Sequence, residues 1–151
     1  MRWSQIEGDE WVIPSGTMKK RRHHVVPLPK HAKVLLAMVR SMRPEGEGEY
    51  VFAAEHTPLR PISENAILAL IGRMGYKGKM TGHGFRSVAS TWAHKNGFPG
   101  EAIELQLSHA PKDKVASAYN RYEYIEVRRQ MLKKWADWLL QAVPPRLAKA
   151  A

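Results

Sequence analysis

The sequence predicts an α+β fold that is mainly helical, in which a small antiparallel β-hairpin sheet is followed by a helical bundle. Short β-type runs, each followed by a proline, occur near the start of the chain. Apolar residues then recur at helical spacing over much of the remainder. A chain of 151 residues with 44% hydrophobic content is long enough to bury a core as a single domain.

The predicted sheet is built on two runs, residues 11–13 and 25–26. Residues 15–22 between them include a glycine and several basic side chains, so we expect a β-hairpin with a basic tip. Residues 50–52 are expected to form a third strand, since they follow a turn-rich segment.

Five helices are expected from the apolar stripes, the capping residues and the helix breakers. Their predicted ranges are 30–42, 63–74, 82–96, 99–108 and 121–142. Ser63 is the expected cap of the second helix. The residues of that helix expected to face inward are Ile67, Leu70, Ile71 and Met74. Because Pro144 and Pro145 end the last helix, we expect one domain over residues 1–143 and a flexible tail over residues 144–151.

The charge of the chain indicates an anionic partner. Lys and Arg number 24 against 14 Asp and Glu, which gives a formal net charge of +10. Residues 17–33 and 65–100 contain no acidic residue, so we expect a basic face assembled from distant segments. The charge favours nucleic acid first and a membrane surface second. The residues expected to contact DNA are Lys20, Arg21, Arg22, Lys77 and Lys79.

Several classes of site are excluded by composition. The chain has no Cys, which removes disulfides, thiolate zinc sites and cysteine nucleophiles. Adjacent His23 and His24 would point to opposite faces of a strand, which argues against a metal site there. No apolar run is long enough to span a bilayer, and the first ten residues do not resemble a secretory signal.

Two histidines and one arginine lie where they could handle a phosphate. His83 and Arg86 are three residues apart at a predicted helix start, which places them on one face. An arginine can bind a phosphate with two hydrogen bonds, and a histidine beside it can transfer a proton. His109 follows an apolar helix and could carry a proton or cap the helix. Taken singly, each also fits an ordinary structural role.

A tyrosine and a lysine complete the candidate set. The hydroxyl of Tyr119 could act as a nucleophile, although Tyr122 and Tyr124 lie close to it in sequence. Lys19 on the hairpin tip could donate a proton or contact a DNA backbone, or could belong to a solvated turn.

The ordered combination resembles the catalytic half of the tyrosine recombinases, in particular the integrases of phages and integrative elements. The boxes that carry the resemblance are Met-Lys-Lys-Arg-Arg-His-His, His-Gly-Phe-Arg, Gln-Leu-Ser-His-Ala-Pro and Ala-Tyr-Asn-Arg. His109 follows Arg86 by 23 residues and Tyr119 follows His109 by 10, as is usual in that family. The resemblance extends over residues 3–140 and implies a partial recombinase catalytic-domain fold.

The resemblance implies a role for each residue. Tyr119 would attack the scissile phosphate and form a 3′-phosphotyrosyl bond, which conserves the energy of the phosphodiester. Arg86 and His109 would bind the phosphate oxygens, and His83 would assist proton transfer at the tyrosine. Lys19 would protonate the departing 5′ oxygen. No metal or other cofactor is implied.

The resemblance also implies partners and a location. We expect double-stranded DNA attachment sites, self-association on DNA through the C-terminal region, and accessory DNA-bending proteins as partners. A membrane partner is not expected. The protein would be cytoplasmic in a bacterium and associated with the nucleoid when bound to DNA. Trp135 and Trp138 in the last helix could pack against a neighbouring protomer or against the protein's own core.

The chain departs from the family's pattern at one catalytic residue. The family has a second catalytic arginine, about nine residues upstream of Trp3, and Arg2 does not match it. We therefore expect the chain to lack the N-terminal part of the catalytic domain and to be a poor or inactive recombinase alone. The alternative is a non-catalytic DNA-binding remnant or regulator. That alternative explains the charge equally well, but it does not explain the ordered boxes.

Overall fold

The three-stranded sheet forms where the two β-type runs predicted it. In the computed structural model, which describes residues 1–17, 23–42, 48–54, 57–109 and 124–142, β1 spans Ile6–Glu7, β2 Glu10–Ile13 and β3 His24–Pro27. The strands are antiparallel in the order β1-β2-β3, and Val12 pairs with Val25. The hairpin prediction is therefore confirmed. Its basic tip, residues 18–22, lies outside the described residues.

The predicted third strand at residues 50–52 is wrong. Tyr50 forms only an isolated bridge with Arg2, and the paired strands nearby are β4 at Ala53–Ala54 and β5 at Thr57–Pro61. Val51 is fully buried, and its N–H donates to the carbonyl of Met1 at 3.1 Å. Phe52, in contrast, is 49% exposed, and the run lies against the first residues of the chain instead of extending the main sheet.

Three predicted helices form close to their predicted bounds. They are α1 at Lys30–Ser41, α3 at Gly82–Lys95 and α4 at Gly100–Gln106, with α2 at Ala66–Ile71 between the first two. The last described helix, α5, spans Ile125–Gln141, and the predicted start at residue 121 lies outside the described residues. Gly97 ends α3 with a φ of +75°, which a glycine adopts without steric cost.

The second helix departs most from its prediction. It covers six residues and is followed by a π-helical turn at Gly72–Tyr76, within which Gly75 has a φ of +82°. Ile71 is buried, but Ile67, Leu70 and Met74 are between 49% and 63% exposed, so their predicted inward orientation is wrong. The helix begins at Ala66 with Asn65 at the N-cap position, so Ser63 is not its cap. Gly72 and Gly75 have low helix propensity, which favours the early end of the α-helix and the π-helical turn.

The core lies where α3, α4 and α5 meet. Ala93, Ile103 and Met131, one from each helix, are buried together. Trp92 packs against this cluster, and its ring centroid lies 5.1 Å from that of Trp135. Trp92 and Trp135 therefore lie over this core, whereas Trp138 is 41% exposed.

A buried arginine connects the helices to the sheet. Arg128 of α5 is 4% exposed and donates from Nε to the Oε1 of Gln106 at 3.0 Å. It also donates from Nη2 to the carbonyl of Val25 at 2.5 Å. Burial lowers the pKa of Arg128 to about 10, and the nearby charge of Glu10 opposes that shift. The side chain stays charged at neutral pH and joins α5 to both α4 and β3.

No helix within the described ranges has the length and apolar content needed to cross a membrane.

Candidate active site

The first part of the candidate site is the N-terminal end of α3. Thr81 caps this helix, because its Oγ1 accepts a hydrogen bond from the N–H of Gly84 at 3.1 Å. His83 and Arg86 follow on the same side of the helix, and both are exposed. The capped start of α3 therefore presents both side chains to solvent.

The second part is the C-terminal end of α4, which is closed by a Schellman motif. The N–H of Ser108 donates to the carbonyl of Leu105 at 3.0 Å, and that of His109 donates to Glu104 at 2.9 Å. Ser108 has a φ of +57°, the left-handed conformation that this motif requires and that glycine adopts most readily. The chain therefore turns back sharply, and His109 lies beside the last turn of its own helix.

The two helix ends bring Arg86 and His109 together. The Nη2 atom of Arg86 lies 3.2 Å from the Nε2 atom of His109, although the residues are 23 positions apart. The same Nη2 donates to the carbonyl of Leu107 at 2.5 Å. The side chain of Arg86 is thus held against the end of α4, and within the described residues its Nε and Nη1 atoms make no hydrogen bond.

Glu104 contacts the ring nitrogen of His109 that faces away from Arg86. The Nδ1 atom of His109 lies 2.6 Å from Oε2 of Glu104, and the two side chains are 50% and 51% exposed. Arg86, His109 and Glu104 therefore form a chain of contacts on an exposed edge. A guanidinium beside an imidazole at such an edge can bind a phosphate oxygen with charge-assisted hydrogen bonds.

An apolar cavity of about 290 Å³ lies behind this edge, between α3, α4 and α5. Its lining includes Arg86 together with Trp92, Ile103, Met131 and Trp135. The core therefore reaches the back of the candidate site, and the positions of Arg86 and His109 depend on how the three helices pack.

The remaining candidates are divided between described and undescribed residues. Lys77 and Lys79 are exposed in the turn that leads into α3. Lys19, Lys20, Arg21, Arg22 and Tyr119 lie outside the described residues. The hydroxyl of Tyr124, one of the alternatives to Tyr119, donates a hydrogen bond to Oε2 of Glu101. Across the described ranges, no three His, Asp or Glu side chains are grouped closely enough to hold a metal ion.

Comparison with known proteins gives the family. The phage integrase family matches residues 1–125, which is most of the chain. The chain belongs to the phage integrase family. This confirms the resemblance to tyrosine recombinases, and the mainly helical fold with a small antiparallel sheet agrees with part of a recombinase catalytic domain.

Individual phage integrases match closely over part of their length. The prophage integrase IntA of Escherichia coli K12 is 39% identical over 138 residues, which cover 90% of this chain and 33% of the relative. The integrase of Shigella phage Sf6 is 38% identical over 145 residues, 95% of this chain and 37% of the relative. The integrase of Enterobacteria phage P4 is 33% identical over 156 residues, 91% of this chain and 35% of the relative. The chain therefore spans about one third of these integrases. No solved structure matches it significantly.

Two residues that hold the candidate site in place were not identified from the sequence. Glu104 of α4 contacts His109, and Arg128 of α5 binds the side chain of Gln106 in α4. The five-residue spacing from Glu104 to His109 places them on different faces of a continuous helix, about 140° apart. Only the combination of a helix end and a residue that tolerates positive φ between them could have indicated their contact.

Proposed function

We propose that this chain is the catalytic part of a site-specific recombinase that integrates DNA through a covalent tyrosine intermediate. The Oη of Tyr119 attacks the scissile phosphorus, so that an Oη–P bond forms and the bond from phosphorus to the 5′ oxygen breaks. The proton of the tyrosine leaves to His83 or to solvent, and Lys19 supplies one to the 5′ oxygen. Attack by a 5′ hydroxyl of the partner strand reverses these steps and restores a phosphodiester.

Arg86 and His109 stabilise the charge of this phosphoryl transfer. The five-coordinate transition state carries negative charge on its non-bridging oxygens, and fixed donors around them lower its free energy. The observation that supports this role is the meeting of Arg86 and His109 at 3.2 Å on an exposed edge. A pair that served only to end a helix would not require a guanidinium from another helix.

DNA binding follows from charge. The net charge of +10 and the two acid-free segments favour contacts with the phosphate backbone. Lys77 and Lys79 precede the helix that carries His83 and Arg86, so they would contact phosphates beside the scissile one. Lys20, Arg21 and Arg22 would do so from the hairpin tip. The affinity for DNA should fall steeply as salt rises.

The partners are those that such a reaction requires. The substrate is a double-stranded attachment site, and copies of the protein associate on DNA through the C-terminal region. Accessory proteins that bend DNA assist assembly. The reaction takes place in the bacterial cytoplasm, where the chromosome lies.

The identity of the nucleophile can be tested by covalent trapping. The experiment uses a complete integrase that contains this sequence and a nicked attachment-site duplex, which prevents religation. Tyr119→Phe should abolish the covalent protein–DNA adduct, while Tyr122→Phe and Tyr124→Phe should retain it. An adduct that persists in Tyr119→Phe would reject the assignment.

The isolated 151-residue chain should bind DNA yet recombine it poorly, since the family's second arginine has no counterpart in it. Losing one donor to the transition state typically lowers the rate by about 10²–10³-fold. Efficient strand exchange by the isolated chain would contradict this expectation. If a complete integrase with this sequence binds its site but forms no adduct, the alternative of a DNA-binding remnant or regulator is favoured.

A further inference from the structure

Glu104 contacts His109 in two ways, and both depend on the end of α4. Its carbonyl accepts the N–H of His109 at 2.9 Å, and its carboxylate lies 2.6 Å from Nδ1 of the ring. The positive φ of Ser108 turns the chain so that both contacts form. Main chain and side chain of one residue thus determine where the imidazole lies.

The chemistry of the partners fixes the protonation of the ring nitrogens. A carboxylate only accepts hydrogen bonds, so Nδ1 carries the proton that points to Glu104. Nε2 is then left facing Arg86, 3.2 Å from Nη2. In the neutral ring Nε2 accepts from the guanidinium, whereas in the protonated ring it becomes a second donor directed to the same side as Arg86.

An anion beside Arg86 favours the protonated ring of His109. Two donors that face each other repel, but a phosphate oxygen that lies beside the pair, within hydrogen-bond distance of each, accepts from both. The carboxylate of Glu104 lies on the opposite side of the imidazole, so the ring separates it from such an anion. Glu104 and Arg86 are the charged side chains that contact His109 within the described part of the chain.

We propose that Glu104 is a positioning residue for the recombination reaction, acting through His109. It keeps a proton on Nδ1 and directs Nε2 to the scissile phosphate, and its carboxylate lies opposite the Nε2–H that the protonated ring donates to that phosphate. The catalytic part of this proposal depends on the proposed function. The tautomer does not, because it is a property of the folded chain.

The tautomer can be measured on the 151-residue chain. Long-range ¹H–¹⁵N spectra distinguish the two ring nitrogens of each histidine, and the peaks lost in His109→Gln identify His109. We expect a predominantly Nδ1-protonated ring in the wild type and in Glu104→Gln, whose amide oxygen still accepts. Glu104→Ala should shift the ring towards the Nε2-protonated form. If the spectra of wild type and Glu104→Ala are the same, the positioning role is wrong.

The catalytic effect is measured in a complete integrase that contains this sequence. Single-turnover cleavage by Glu104→Gln and Glu104→Ala should fall about tenfold or more, with little change in DNA affinity. Glu126→Gln, which removes an exposed carboxylate from α5, is the matched control for net charge and should cleave normally. Thermal melting checks that each variant folds.

A double-mutant cycle separates action through His109 from other effects. In a His109→Gln background, Glu104→Gln should cause no further loss of cleavage. Additive losses would show that Glu104 acts independently and would overturn the proposal. If even the wild-type integrase fails to cleave, the proposed function fails, while the spectra still decide whether Glu104 sets the tautomer.

Discussion

The α3–α4–α5 assembly and the α2 region differ in what surrounds their apolar residues. In the assembly, Ile103 is 1% exposed and packs among residues of three helices. In α2, Leu70 is 49% exposed although it belongs to an equally clear apolar stripe. The three-helix assembly also carries Arg86 and His109, whereas α2 carries none of the candidate catalytic residues. The well-packed part of the structure is therefore the part that carries the candidate catalytic residues Arg86 and His109.

This difference shows what an apolar stripe can and cannot predict. Periodicity identifies the face of a helix that is suited to burial, but burial also requires a second surface at that place. The stripe of α4 meets α3 and α5, while the face of α2 meets no comparable surface among the described residues. The stability of the fold should therefore depend on the side chains that contact another helix, and not on every side chain that belongs to an apolar stripe.

The largest effect on stability is expected from shortening a buried side chain in the α3–α4–α5 assembly. Ile103→Ala should lower the free energy of unfolding by about 2–5 kcal/mol, since it leaves a cavity among well-packed helices. Leu70→Ala is the matched control and should cost about 0.5 kcal/mol or less, as for an exposed position. Urea unfolding of both variants measures the difference. Equal losses would mean that α2 is buried to a similar degree in solution.

The next effect concerns the connection between the assembly and the sheet. Arg128→Met should destabilise the fold by about 1–3 kcal/mol, because the acceptors on Gln106 and Val25 lose their donor. Arg129→Met is the control, since Arg129 is partly exposed and its ion pairs should contribute about 1 kcal/mol or less. Denaturation curves that coincide for the two variants would show that burial of Arg128 has no energetic consequence.

A smaller effect, of opposite sign, is expected at the end of α4. Ser108→Gly should stabilise the chain by up to about 1 kcal/mol, because the left-handed conformation strains serine but not glycine. Ser108→Val should destabilise it, since β-branched residues tolerate positive φ least. Thermal melting of the pair tests the strain. A loss of stability in Ser108→Gly would contradict it.

The smallest effect is expected from an exposed ion pair in the β1–β2 turn. A hydrogen bond from Lys33, followed by the charge of that lysine, lowers the pKa of Asp9 below its usual value of 3.8. Asp9 therefore contributes stability above that value, and the contribution is lost as pH falls through the lowered pKa in the folded state. An NMR titration should show the shift in wild type and its loss in Lys33→Met. An unchanged midpoint in Lys33→Met would reject the pairing.

Sequence alone predicted the elements whose signals are local. The hairpin, α1 and the C-terminal end of α3 follow from β-branched runs, an apolar stripe and a glycine stop, each of which acts within a short stretch of sequence. The third strand and the burial of α2 depend on distant partners, and both predictions failed. Arg86 and His109 were singled out through their boxes, but their contact depends on how α3 packs against α4. Glu104 was missed because its contact forms only after the chain reverses at Ser108.

Arg86 is expected to stabilise the negative charge of the scissile phosphate together with His109. The most direct measurement compares single-turnover cleavage of an ordinary nicked site with that of a site whose scissile phosphate is replaced by a neutral methylphosphonate. A complete integrase containing this sequence is used, with Lys95→Ala at the far end of α3 as the control.

On the ordinary phosphate, Arg86→Ala should cleave about 10²–10³-fold more slowly than wild type. On the methylphosphonate, which has lost the charge that Arg86 stabilises, the defect of Arg86→Ala should shrink to about tenfold or less. Lys95→Ala should resemble wild type on both sites. If Arg86→Ala shows the same defect on both sites, Arg86 does not act on the charge of the scissile phosphate and the account is contradicted.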